Sequence, residues 1–252
     1  MQENDELIKK RFLELAQRSA SQTVYTYTGF LSLAELTLFE QIRAKLPHVD
    51  VSLQGGHPGP ERQVVCFGSQ AQLGYTEPAP ICCICVSPVS ERFADDLTHR
   101  DFLGALLNLG IKRATLGDIL LRENTAYVFC LAGVAEHILS ELSMVKHTSV
   151  RCAPVQALPE ALAPKLEPQT VNVASERLDA LVAAAYKLSR TQSAELFRLK
   201  RVYVNSALVE NTSHTPRAGD IVSVRGFGRF RYDGVDRLSR KGRSFAVIQR
   251  YV

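Results

Sequence analysis

Between residues 177 and 201 the sequence sets Arg177, Lys187, Arg190, Lys200 and Arg201 on a stretch that reads as two helices leading into a strand. Arginine suits a phosphate because its planar guanidinium donates two parallel hydrogen bonds. A set of such cations neutralises successive phosphates and releases their counterions, so it supplies affinity for RNA without reading sequence. Ser189 opens the second helix, where free backbone N–H groups attract anions. Asn205 ends RVYVN; its amide either reaches a ribose or backbone oxygen or satisfies its own turn. Further on, RGFGRFRYDGVDRLSRKGRSF carries Arg225, Arg229 and Arg231 at alternating strand positions and Lys241 and Arg243 in a second basic turn. Gly226 and Gly228 let the backbone approach a ligand closely, and Phe227 and Phe230 either stack on it or pack inward. A solvated hairpin is the alternative, but clustered cations that do not alternate with acids favour RNA contact.

Other chemistry-bearing residues read more plainly. Cys82, Cys83 and Cys85 have no second ligand pair at zinc spacing, so they read as small apolar groups of a buried strand, with no metal and no cofactor. HRD at 99–101 resembles a kinase catalytic loop, but position 106 is Leu106, where that loop needs an Asn on magnesium. Asp101 instead favours the N-terminal dipole of a helix. No G-x-G-x-x-G follows a strand, so a methyl-donor site is not expected. Asp101 and Asp118 are the least implausible catalytic acids, and no catalytic residue is assigned. GGHPGPER (55–62) reads as a tight turn with a solvated ion pair, or as a loop holding a functional site.

The elements that must position these residues follow from periodicity. Residues 3–18 have Leu7, Ile8, Phe12, Leu15 and Ala16 at helical spacing, and Ser32 with Glu35 forms a capping box for a helix through Lys45. VSLQGG and RQVVCFG read as strands around a glycine-proline loop. ICCICV, a helix capped by Thr98 and stopped at Gly110, DILLRE, TAYVFCL, the helix GVAEHILSEL and TSVRCAPV then give the order βαββαβ, shared by ferredoxin-like folds and RNA-recognition motifs. Tyr127 and Phe129 share a strand face, as core under a helix or as half of a base-stacking platform. Prolines 154, 159, 164 and 168 mark a linker. After it, Leu178, Leu181, Val182 and Ala185 line one helix, Leu196, Phe197 and Leu199 a second, and RVYVN, ALVE and DIVSVRG are short strands.

Of the 252 residues, 1–168 hold 15 Lys+Arg against 19 Asp+Glu, a charge of −4, whereas 169–252 hold 15 against 7, a charge of +8. The overall +4 conceals a basic C-terminal third. The longest apolar run is ICCICV, far short of the ~20 residues a bilayer span needs, and QENDELIKKRFLEL is no secretory leader. A soluble protein of the reducing cytoplasm is expected, without membrane contact.

SERLD, the YKLSR turn, the KRVYVN strand and the AGDIVSVRG end resemble the alpha-L, or ribosomal-protein-S4-type, RNA-binding domain. GGHPGPER, HRDFLGALLNLGIKR followed by GDIL, and RGFGRF extend the resemblance along the chain to the YlmH family of bacterial RNA-binding proteins. That resemblance implies docking of structured RNA by the two helices, with Arg177, Lys187, Ser189, Arg190, Lys200, Arg201 and Asn205 facing it. It implies ribosomal RNA of a large subunit carrying peptidyl-tRNA as the partner, tRNA as a further one, and a role in quality control of stalled nascent chains. An association with cell-division genes also follows, without division chemistry. Two departures stand out: Lys200 and Ser206 occupy positions where the family usually has glycine.

The expected fold is α+β: an N-terminal α+β unit at 1–76, a ferredoxin/RRM-like βαββαβ domain at 77–156, a Pro-rich linker at 157–170 and an S4-type RNA-binding domain at 171–252. The expected function is non-catalytic RNA binding by a monomer. The rivals are an RNA-modifying enzyme that uses the alpha-L domain for targeting, and a cell-division adaptor.

Overall fold

Phe12, Leu15 and Ala16 recur at helical spacing, and they are the buried face of α1 (Gln2–Gln22), whereas Leu7 on the same expected face is exposed. In this computed structural model, which describes residues 2–159, 165–239 and 242–251, α1 leads to β1 (Thr26–Tyr27) and α2 (Leu33–Ile42). Ser32 starts α2 with a complete capping box: its Oγ accepts from Glu35 N–H, and its own N–H donates to Glu35 Oε2 at 2.7 Å. Helix α2 ends at Ile42 and a single 3₁₀ turn carries the chain to Lys45. β2 (Val51–Gln54) and β3 (Val64–Phe67) complete the antiparallel sheet β1-β3-β2, and a short α3 (Gln70–Leu73) follows. Phe12, Phe39 and Phe67 meet edge to face between the helices and this sheet.

A second sheet comprises β4 (Ile81–Pro88), β5 (Leu116–Arg122), β6 (Thr125–Leu131), β7 (Met144–Val145) and β8 (Thr148–Val155), in the antiparallel order β5-β6-β4-β8-β7. Helices α4 (His99–Asn108) and α5 (Ala132–Glu141) cover one face of it. There Phe102, Leu106 and Ile138 pack on Ile84, Val86, Val128 and Cys130. Strand alternation sends Phe129 to the opposite face, where it is 1% exposed and packs on Phe30 and Val64. Phe129 is therefore core, covered not by a helix but by residues from the first 76. The division expected at 76/77 runs through one compact unit, Met1–Ala163.

The second unit, Pro164–Val252, opens with β9 (Leu166–Val173), paired over its whole length with the last strand. Residues 166–170, expected as linker, are thus strand, and 160–164 lie outside the described residues. Pro168 is tolerated because β9 is an edge strand and needs no N–H on its open side. Helices α6 (Leu178–Ala185) and α7 (Arg190–Arg198) precede β10 (Val202–Val204), β11 (Ala207–Leu208), β12 (Ile221–Val224), β13 (Gly228–Leu238) and β14 (Ser244–Tyr251). The sheet order is β11-β10-β12-β13-β14-β9. Both helices lie on one face, with Leu178, Leu181, Val182, Leu196 and Phe197 against Val202, Val222, Phe230 and Ile248. Leu199, expected inward, is 46% exposed because α7 ends at Arg198. The described residues thus form a mixed α+β protein with seven α-helices and three antiparallel sheets.

Candidate nucleic-acid interface

Ser189 begins α7 as its position predicts: its Oγ accepts from Gln192 N–H at 3.1 Å, and Gln192 Oε1 accepts from Ser189 N–H at 2.9 Å. This reciprocal box uses one N–H of the helix end and leaves the cap exposed. Arg177 and Arg190 converge on Asp179, a carboxylate only 4% exposed: Arg177 Nε donates to Oδ1 at 3.1 Å and Arg190 Nη2 to Oδ2 at 2.8 Å. Ser193 Oγ donates to the Asp179 carbonyl at 2.7 Å, locking α6 against α7. Two of the seven residues implied to face RNA are thus oriented by one buried acid.

The positions that lack the usual glycine keep the glycine conformation. Lys200 has φ +55°, and Asn205 and Ser206 have φ +49° and +69°. The β10–β11 hairpin therefore uses two left-handed residues in sequence, with Asn in the first, where it is tolerated. Asn205 is a turn residue: its Nδ2 donates to Asp220 at 2.8 Å and its Oδ1 accepts from Ile221 N–H at 2.9 Å, so both ends of the amide are used within the unit. Lys200 pairs with Glu210 at 2.8 Å, and that carboxylate raises the lysine pKa.

Lys187, Arg201 and Arg225 are exposed and have no ion-pair partner among the described residues. They are neighbours. Arg225 N–H donates to the Arg201 carbonyl at 2.9 Å, at the shared end of β10 and β12. Phe227, 40% exposed in the turn that follows, lies 5.6 Å from Tyr186, which precedes Lys187 at the end of α6. Phe230 is fully buried and does not stack outward. Arg229 lies 4.3 Å over the Tyr251 ring, a cation–π contact, and Arg231 pairs with Asp233 at 2.7 Å. Arg243 is at the far end of the 11-residue β13, roughly 30 Å away by strand rise, where its Nη2 donates to the Asn172 carbonyl at 3.0 Å. Lys241 lies outside the described residues. Of the eleven described residues among the twelve, Lys187, Arg201 and Arg225 form one exposed end, Arg177 and Arg190 share Asp179, Ser189 caps α7, Lys200, Asn205, Arg229 and Arg231 have partners within the unit, and Arg243 is distant.

In the first unit the GGHPGPER loop is not a solvated turn. His57, its side chain 1% exposed, places Nε2 3.0 Å from Asp118 Oδ2, and Glu61 N–H and Arg62 N–H donate to the same carboxylate at 2.7 and 3.1 Å. Burial raises the Asp118 pKa, but the His57 contact and the two backbone donors outweigh it and hold the carboxyl below its ordinary value. Arg62 donates to the carbonyls of Leu116 at 2.9 Å and Phe30 at 2.6 Å. Asp118 is therefore an anchor for the loop, and a sequence separation of 61 residues hid its pairing with His57. Asp101 is also engaged: it accepts from Thr98 N–H and hydroxyl and pairs with Lys146 at 2.9 Å. All six cysteines are free thiols, and strand alternation turns Cys82 toward the helices and Cys83 to the opposite face. No group of three or more His, Cys, Asp or Glu among the described residues is placed to hold a metal ion, and none of their helices is long and apolar enough to cross a membrane.

These features define a two-unit α+β protein whose second unit carries, at one end, arginine and lysine without an ion-pair partner among the described residues. Residues 85–158 match the family described as "Putative RNA-binding domain in YlmH". Over 163 residues the chain is 30% identical to the ribosome-associated protein quality control protein P2 of Bacillus subtilis (strain 168). That alignment covers 63% of this chain and 63% of the relative, so the chain spans less than two thirds of the relative's length. The solved structure of cell division protein ylmH from Streptococcus pneumoniae is similar with a TM-score of 0.49 and 15% identity, over 60% of this chain and 91% of that one. Residues 85–158 thus match the YlmH-type domain, and the chain is similar to the B. subtilis relative over part of its length.

Proposed function

We propose that the chain is a non-catalytic RNA-binding protein of the cytoplasm that docks structured ribosomal RNA through its alpha-L-type second unit. The first unit is read as a pairing of an N-terminal α+β segment with an RRM-like sheet. The observation that carries the reading is the gathering of Lys187, Arg201 and Arg225, exposed and without acid partners among the described residues, beside the exposed ring of Phe227. Unpaired guanidinium and ammonium groups beside an aromatic suit a phosphate backbone that has a base to stack. The B. subtilis relative is named for ribosome-associated quality control. We read the target as the large ribosomal subunit, with peptidyl-tRNA as a further contact, as the sequence resemblance implies, and the protein as a monomer that acts there on stalled translation.

Co-sedimentation with large subunits across a salt series tests the proposal. Arg201→Ala with Arg225→Ala should weaken binding at least about tenfold and reduce the salt slope by roughly 2, near one unit per lost phosphate contact. Binding with unchanged strength and slope refutes the assigned end of the unit. Rivalry with an RNA-modifying enzyme is decided by mapping modified nucleotides after incubation with ribosomal and transfer RNA. A modification lost in Asp101→Ala overturns the non-catalytic reading.

A further inference from the structure

Tyr186 caps the end of α6 and is half-buried, with its ring 5.6 Å from Phe227, 6.1 Å from Phe230 and 5.6 Å from the Arg250 guanidinium of β14. Its hydroxyl and Arg250 Nε are shut away from solvent, and neither has a hydrogen-bond partner. Among the described residues no other buried side-chain nitrogen or oxygen is left in that state. Burial pushes the Tyr186 pKa up to about 12 against the opposing pull of the Arg250 charge, so the hydroxyl keeps its proton. The half-buried Arg250 side chain has no ion-pair partner among the described residues; Glu167, in register with it on β9, does not pair with it. Buried donors without acceptors destabilise a fold, and native proteins keep few of them. These two lie beside the exposed cations, since Lys187 follows Tyr186 and Arg225 precedes Phe227 by two residues. Phe227 covers them from a turn between Gly226 (φ +89°) and Gly228 (φ +109°), and a Cβ on Gly228 would stand 4.0 Å from the Tyr186 hydroxyl.

We infer that these groups form a base-reading pocket: an unpaired guanine enters between the Tyr186 and Phe227 rings, with the Arg250 guanidinium on its O6 and N7 and the Tyr186 hydroxyl as a further donor. The inference rests on the RNA-binding reading of this end of the unit and gives it a base preference, which phosphate contacts from Lys187, Arg201 and Arg225 cannot supply. The paired N–H groups of arginine match the two acceptors of guanine, whereas adenine puts an amino donor where O6 stands. A base stacked on both faces needs about 7 Å between the flanking rings, two contacts of roughly 3.5 Å. The Tyr186 and Phe227 centroids are 5.6 Å apart with planes tilted by 51°. Phe227 must therefore back away by about 1–2 Å, a shift that glycines on both sides accommodate.

The full chain is titrated, with anisotropy as the readout, against a fluorescein-labelled RNA hairpin whose loop carries one unpaired guanosine, and against the same hairpin with adenosine, uridine or 7-deazaguanosine at that position. Guanosine should bind about tenfold or more tighter than adenosine or uridine, and 7-deazaguanosine, which lacks only the N7 acceptor, about fivefold more weakly than guanosine. These comparisons leave the protein unaltered, so they hold whatever a substitution does to the fold. Arg250→Lys, which keeps the charge and loses the paired N–H groups, should level the affinities. Tyr186→Phe removes a hydroxyl that has no partner, so the melting temperature should hold or rise while the guanosine preference falls; a merely structural tyrosine gives the first change without the second. Equal affinities for the four hairpins, or a preference unchanged in both variants, overturn the inference. The salt slope is read with the adenosine hairpin in the same titrations, so failure of the pocket is distinguished from failure of the basic end, and no binding to any hairpin refutes the RNA reading itself.

Discussion

Asp179 illustrates how a single side chain prepares a surface it does not form. Its carboxylate is buried, whereas the Arg177 and Arg190 side chains it holds are 41% and 55% exposed, so the pairs are partly screened by water. Replacing Asp179 with Asn leaves the amide facing two guanidiniums, a cost we place at about 1–2 kcal/mol after discounting the loss seen for fully buried pairs; urea denaturation should show it as a lower midpoint with an unchanged slope. Asp101 has a different signature. The Thr98 hydroxyl, Lys146 and the Thr98 N–H bond its carboxylate and hold its pKa at about 2. A carboxyl depressed in the folded state stabilises the fold above the ordinary carboxylate range, and that contribution fades as pH falls toward 2. Melting curves of Asp101→Asn should therefore lie below those of the parent at neutral pH and converge with them near pH 2; a constant gap across the series would exclude the assigned cap. The caps at Ser32, Thr98 and Ser189 were legible in the sequence because their partners lie three residues on. The hydrogen bonds of Asp118 were not, because its donors lie on a loop about sixty residues away.

At the scale of elements, the GGHPGPER loop is shaped by what its glycines leave out. Gly56 has φ +86°, and a Cβ there would come within 2.6 Å of the Phe129 ring and 2.9 Å of Ile81. Gly56→Ala combines backbone strain with a collision in the core and should cost about 2–3 kcal/mol, read by thermal or urea unfolding. The β10–β11 hairpin offers the opposite case. Ser206 holds a left-handed conformation that glycine adopts freely, so Ser206→Gly should raise stability by about 0.5–1 kcal/mol without changing RNA affinity. Most strands and helices followed from local pattern: β8 occupies the TSVRCAPV segment end to end, and α4 begins at the residue after Thr98. Strand β9 did not, since Pro168 and the prolines before it read as linker while the partner that makes it a strand, β14, lies some eighty residues further on. The cover over Phe129 was hidden for the same reason, as Phe30 and Val64 are remote in sequence.

For the molecule as a whole, the split of charge at residue 168 predicts how binding should respond to salt. Residues 169–252 carry +8, yet the structure neutralises part of that excess internally: Arg177 and Arg190 share Asp179, Lys200 meets Glu210 and Arg231 meets Asp233. Lys187, Arg201 and Arg225 are free to meet phosphates, so net charge overstates the number of contacts. A cation already paired with a carboxylate releases fewer counterions when it meets RNA, because its field is partly cancelled beforehand. Alanine substitutions at paired and unpaired positions should therefore differ in slope even though each removes one charge. Lys187→Ala or Arg225→Ala should each lower the dependence of log K on log salt by nearly one unit, while Arg231→Ala should lower it by much less. Fluorescence anisotropy with a structured ribosomal RNA fragment between about 50 and 200 mM salt spans the range in which such slopes are measured. Equal losses at the three positions would mean that RNA reads the total charge of the unit, and the surface around Lys187, Arg201 and Arg225 would lose its special standing.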